Sequence, residues 1–131
     1  MADSSRDMTT YPVFLVESLG APRNHQSLLV EIHSKRGAIF HVTGNIQEGM
    51  VFEVKDTDTP EQCSPTFISR SEIGKISSSK LSLFQQICEG NPPPTKQFNG
   101  PRRLDPTKPL RRCQEWTLET INALRAQGVL E

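Results

Sequence analysis

The side chains best suited to chemistry in this 131-residue chain are its three cysteines and three histidines. Cys113 has the surroundings of a nucleophile: it follows Pro109, stands directly behind Arg111 and Arg112, and opens a stretch of helical periodicity. Unpaired amides and the positive end of the dipole favour a thiolate at a helix start, and neighbouring guanidinium groups would lower its pKa further. Two arginines where a first turn prefers acids also break a local rule, which points to a functional reason. The competing reading makes Cys113 a small apolar residue at the head of the buried stripe that Trp116 and Ile121 continue. Cys63, in the polar run D-T-D-T-P-E-Q-C-S-P, reads as a bystander, and Cys88, on an apolar helical stripe, as a core residue.

A cysteine nucleophile needs a base, and His25, His33 and His41 all fall on one expected hairpin. His33 sits at its turn and reads as a solvated loop residue. His25 opens the first strand, and His41, between Phe40 and Val42, points to the face opposite those two neighbours. If the turn centres on Lys35, His25 opposes Asn45 and His41 opposes Leu29, so His25, His41 and Asn45 share one face. Either His41 or Asn45 would then take the second ring N–H of His25, the orienting role that stands behind the base in cysteine hydrolases. Moving the centre by half a residue would carry His41 to the other face, so the third member stays open between the two.

The elements that must position these groups follow from pattern. Tyr11 to Glu17 reads as a central or near-central strand. Ser27 to His33 and Ala38 to Thr43 flank S-K-R-G as a hairpin, with Gly37 expected to absorb an awkward dihedral. Met50 to Lys55 continues the meander, and Thr66 to Ser69 and Glu72 to Ile76 supply one or two more short strands. From Ser79, residues Leu81, Phe84, Ile87 and Cys88 recur at helical spacing behind serine caps and ahead of Gly90. Residues 91–109 hold six prolines and form a wrapped loop or tether. The terminal helix, Leu110 to Gln127, carries Cys113, Trp116, Thr117, Thr120, Ile121 and Leu124 on one face, with Gly128 at its C-cap. The expected architecture is α+β: a small antiparallel sheet of four to six strands packed against a short helix and a C-terminal helix, in one domain over 11–131 after a disordered tail over 1–10.

Composition narrows the function. Fifteen basic and 15 acidic residues cancel, so no global field favours nucleic acid or an acidic membrane. The start of the chain lacks a secretory pattern, and no apolar run approaches the roughly 18 residues of a membrane helix. A cytoplasmic protein is expected, with no nucleic-acid or membrane partner; the oligomeric state is left open. The cysteines are odd in number and show no C-x-x-C pair, which encodes neither a disulfide framework nor a zinc site. No phosphate-binding glycine loop or internal repeat is present, so no cofactor or metal is expected. The balance is nonetheless uneven: Lys96, Arg102, Arg103, Lys108, Arg111 and Arg112 precede Cys113 with only Asp105 among them, reading as a solvated loop or as a seat for an anionic substrate or partner. Trp116 reads as a core anchor, with a wall beside the thiol as the alternative.

A strand opening on histidine (N-H-Q-S-L-L-V-E-I), a return strand with a second histidine (I-F-H-V-T-G-N) and a late helix opening on cysteine (R-R-C-Q-E-W-T-L-E-T-I) together resemble the circularly permuted papain-like fold, which includes the lecithin retinol acyltransferase-like enzymes. In length and texture the chain is most similar to a family of small uncharacterised fungal proteins that combine such a His strand with a terminal Cys helix. The resemblance runs from Tyr11 to Leu130. It implies that Cys113 attacks a carbonyl, that His25 takes its proton and later gives it to the leaving group, that His41 or Asn45 holds the imidazole, and that the Cys113 backbone N–H contributes to an oxyanion hole. Gln26 stands where those acyltransferases usually carry an aromatic residue, R-C-Q-E-W replaces an N-C-E-H-F-type motif, and no hydrophobic tail precedes Glu131. Lipid acyl transfer is therefore disfavoured, leaving small-molecule or peptide amides, esters and thioesters. The leading expectation is a thiol hydrolase or acyl-transfer enzyme; the rivals are a catalytically inactive papain-like domain that binds a protein or metabolite, and a purely structural α+β domain.

Overall fold

A computed structural model describes residues 9–20, 24–33, 36–57 and 66–131; of His33 only the backbone is described. Five strands, β1 (Thr10–Ser18), β2 (His25–His33), β3 (Arg36–Asn45), β4 (Gly49–Thr57) and β5 (Phe67–Ser77), form an antiparallel sheet in the order β4-β3-β2-β1-β5. The fold is α+β, with β2 at the centre and β1 beside it. A 3-10 turn, Ser78–Lys80, leads into α1 (Leu81–Gly90), and a two-residue hairpin of β6 (Phe98–Asn99) and β7 (Arg102–Arg103) precedes α2 (Cys113–Ala126).

Strand alternation sorts the sheet into two faces. Val13, Leu28, Val30, Ala38, Phe40, Val42 and Ile76 form the core with Phe84, Cys88, Trp116, Ile121 and Leu124 from the helices. Phe14, Val16 and Leu29 lie on the opposite face with Ile39 and Phe67 packed against them. The Y-P-V-F-L-V-E run is thus apolar on both faces because β1 is enclosed on both. The helical stripe is observed as expected: Cys113, Trp116, Thr117, Thr120, Ile121 and Leu124 are the buried residues of α2, which packs across β2 and β3. Trp116 is a core anchor, fully buried against Phe52, its Nε1–H donating to the Asn91 carbonyl at 2.9 Å. Gly128, with φ +71°, ends α2 in the left-handed conformation, and the Val129 amide donates back to the Leu124 carbonyl.

Several local expectations are corrected. Gly37 does not have a positive φ; a Cβ there would sit 2.6 Å from the Val30 carbonyl oxygen, so its role is close approach between β2 and β3. Of the one or two short strands expected after Thr66 there is one, β5, longer than either and bulged where Val13 faces Gly74 and Phe14 faces Glu72. At Gly74 (φ +153°) the chain passes against the backbone of Glu131, which exchanges two hydrogen bonds with Lys75. No serine side chain caps α1: its N-cap is Lys80, because the 3-10 turn takes the serines, and Ser77 and Ser79 bond each other. Of the expected tail Thr10 is already in β1 and the Thr9 carbonyl accepts the Ser78 backbone N–H, while residues 1–8 lie outside the described residues, as does Cys63. The proline-rich segment is a folded loop carrying β6 and β7.

Candidate active site

The hairpin register decides which residues meet. Leu28 pairs with Phe40, Leu29 with Ile39 and Val30 with Ala38, whereas the last pair is His33 with Arg36. The expected pairing, with His41 opposite Leu29, is one residue off on each strand: the His33–Arg36 pair accounts for half of that shift and the bulge between Glu31 and His33 for the other half. A shift of that size preserves parity, so His25 and His41 still share a face, as diagonal neighbours.

Their contact is direct. Nε2 of His25 and Nδ1 of His41 are 3.0 Å apart, with ring centroids 5.2 Å apart and planes at 73°. On its far side His41 places Nε2 2.8 Å from Oε1 of Glu53, its cross-strand partner on β4. His41 is buried, while the Glu53 side chain is 51 % exposed. Glu53 has no counterpart among the residues singled out from sequence; the only signal for it was an acid among V-F-E-V-K, meaningful once the β3–β4 register is known. Burial, and secondly the charge of His41, hold the His25 pKa below its ordinary value of 6.5.

Asn45 is not the partner of His25. Its Oδ1 accepts the Glu48 backbone N–H at 2.9 Å, closing the turn between β3 and β4. It still lines the cleft, and the orienting contact to His25 is made by His41.

Cys113 reaches this place from the helix side. By alternation His25, His41 and Glu53 belong to the sheet face turned away from the helices; residues of the two sides come together at the end of the sheet where β2 begins. There a cleft of about 240 Å³ is lined by His25, Cys113, Arg112, Gln114, Asn45 and Met50, among others. Cys113 is 7 % exposed, its Sγ 3.9 Å from the Asn24 carbonyl oxygen, one residue before His25. The Gln114 amide Nε2 donates to that same carbonyl. Among the described residues the Nδ1 of His25 has no hydrogen-bond partner.

The paired arginines have a structural explanation that the sequence reading lacked. Both precede the first residue of α2, and the acid preferred in a first turn is present: Oε1 of Glu115 accepts the Arg112 backbone N–H at 2.6 Å. The Arg111 guanidinium is spent on Glu119 at 2.7 Å, Asn91 Oδ1 at 3.0 Å and the Pro92 carbonyl at 2.8 Å, so it anchors the loop to the helix. Arg112 alone of the two lines the cleft. Gln97 clamps the backbone of Arg111 from both sides, its Oε1 accepting and its Nε2 donating, which sets where the helix and its cysteine begin. Cys88 lies in the core, where burial pushes its thiol up to about 12.

Fold and site together define an α+β protein with a thiol and a carboxylate-backed histidine pair at one sheet end. The chain belongs to the family of unknown function DUF6540, whose family model matches residues 13–131. Comparison with curated proteins and with solved structures gives no match. Among the described residues no group of histidine, cysteine and carboxylate side chains is arranged to hold a metal ion, and no helix is long and apolar enough to cross a membrane.

Proposed function

We propose that the protein is a thiol-dependent hydrolase or acyl-transfer enzyme acting on an amide, ester or thioester carbonyl of a small-molecule or peptide substrate, with Cys113 as nucleophile and His25 as base. The observation that carries this reading is the line Glu53–His41–His25 leading to the cleft that Cys113 also lines. A carboxylate only accepts, so Glu53 takes the Nε2–H of His41; with both rings neutral, Nδ1 of His41 is bare and accepts the Nε2–H of His25. The proton order then leaves His25 Nδ1 as a lone pair beside the cleft. In the proposed reaction this nitrogen takes the Cys113 proton as sulfur bonds to the acyl carbon, and returns it to the leaving group when the tetrahedral intermediate collapses. Water or a second nucleophile then attacks the thioester with the same help. The Cys113 backbone N–H, at the helix start, is offered to the oxyanion. The circularly permuted papain-like relationship and a cytoplasmic location belong to the same proposal.

One observation favours a second reading, a catalytically inactive papain-like binding domain: the sulfur is nearly buried and faces the Asn24 carbonyl. Alkylation by iodoacetamide at pH 6, followed by peptide mass spectrometry, separates the two. The enzyme reading expects stoichiometric modification of Cys113 that is lost in His25→Ala. No preference for Cys113 over Cys63 and Cys88 would refute it and favour the binding domain. Screening nitrophenyl esters and peptide thioesters for acyl adducts on Cys113 then narrows the substrate.

A further inference from the structure

A second concavity, separate from the thiol cleft, lies in the proline-rich loop. It measures about 330 Å³ and is lined by Lys96, Arg103, Lys108 and Arg111, with Asp105 the one acid. Residues 111 and 112 divide the two spaces: Arg111 faces this one and Arg112 the cleft.

The charges here are poorly matched within the fold. Arg111 is neutralised by Glu119, and Lys108 approaches Asp105 only to 3.9 Å with both side chains well exposed. Asp105 is itself engaged, its Oδ1 accepting the backbone N–H and the hydroxyl of Thr107, which with nearby Lys108 and Arg103 keeps its carboxyl below the usual range. Among the described residues Lys96 and Arg103 form no ion pair. With Glu119 set against Arg111 and Asp105 against Lys108, the charges of Lys96 and Arg103 remain in excess.

The site is also built rather than incidental. One Arg103 nitrogen donates to the carbonyls of Asp105 and Lys108, fixing the guanidinium without consuming its charge, while its Nε–H is buried with no acceptor among the described residues. Gln97, at the wall, is held by its two bonds to Arg111 and by its backbone bonds to Ile46 and Leu104. Six prolines in residues 91–109 remove backbone freedom, so little ordering remains to be lost when a ligand enters.

We propose that this pocket binds a dianionic phosphoryl group, held by Lys96, Arg103 and Lys108. A phosphate monoester carries about two negative charges at neutral pH and offers three acceptor oxygens, which matches the two charges in excess, Lys96 and Arg103, and the exposed ammonium of Lys108 beside them. The proposal is independent of the thiol reading, because none of these three residues lines the cleft.

The test is an amide-detected NMR titration of the full chain with inorganic phosphate, with O-phosphoserine, and with vesicles of phosphatidylcholine containing phosphatidic acid. Saturable shifts in Thr95–Arg111 at roughly 1 mM phosphate or phosphoserine, weakened about tenfold or more in the Lys96→Gln/Lys108→Gln double variant, are expected. Both lysines are exposed, so this variant keeps the fold; Cys113→Ala should bind as the wild type does. Binding to the vesicles alone would identify a lipid headgroup as the source of the phosphoryl group. No saturable binding to any of the three, or equal affinity in the double variant, overturns the proposal.

Discussion

Replacing Glu53 by Gln tests the proton order on which the proposed chemistry rests. The side chain keeps its size, but its amide can offer either an acceptor or a donor to His41 Nε2, so the direction of the 2.8 Å and 3.0 Å bonds is no longer imposed. A hydrogen bond to a charged group contributes about 1.5–3 kcal/mol. Because the Glu53 side chain is 51 % exposed, solvent screening places its effect at or below the low end of that range. Taking about 1.4 kcal/mol as the bias that is lost, the ratio of the two proton orders falls about tenfold, to about one, and the population with a bare His25 Nδ1 therefore falls about twofold. The second-order rate of Cys113 alkylation at pH 7, followed by mass spectrometry, should fall by the same factor. Global stability should change by only about 1 kcal/mol or less, measured by urea unfolding. A Glu53→Gln rate equal to that of wild type, with His25→Ala silent, would show that the carboxylate does not set the proton on His25. A collapse of urea stability instead would make Glu53 a structural residue.

Other outcomes follow from packing and titration. His25 has a folded pKa below 6.5, so as pH falls the unfolded chain takes up this proton first. Its contribution to stability is complete above about pH 6.5 and declines as pH falls through the folded value; urea midpoints at pH 7.5 and 5.5 should therefore differ less in His25→Gln than in wild type, and an equal difference would contradict the burial described. Trp116→Ala should cost about 3–5 kcal/mol, since it empties the centre of the core and orphans the Asn91 carbonyl, as read from chemical unfolding. Gly37→Ala should destabilise by about 1–3 kcal/mol, because the obstacle 2.6 Å from the new Cβ is backbone, the Val30 carbonyl, rather than a movable side chain; an unchanged denaturation midpoint would refute that close approach.

The sequence was most informative where a pattern repeats. The 3.6-residue period from Cys113 to Leu124 named every buried residue of α2, and the β-branched and aromatic runs located the strands because burying an apolar face leaves a periodic trace in the chain. Cys113 and His25 could be paired as candidates in this way, since each stands at the first residue of its element. Boundaries were less legible. The 3-10 turn displaced the expected serine caps, and where one or two short strands were expected a single bulged strand, β5, runs.

What the sequence by itself determined is therefore the elements, their apolar faces and the residue types available for chemistry, all of which depend on neighbours close in the chain. Only the tertiary structure decided the register of the hairpin, where a one-residue bulge set His41 beside His25 and left Asn45 to its turn. It alone brought Glu53 behind His41 and matched Arg111 with Glu119, converting an apparent thiol activator into an anchor. Such pairings depend on where separate segments come to rest, and hydrogen-bond partners across strands and loops follow from packing rather than from local propensity.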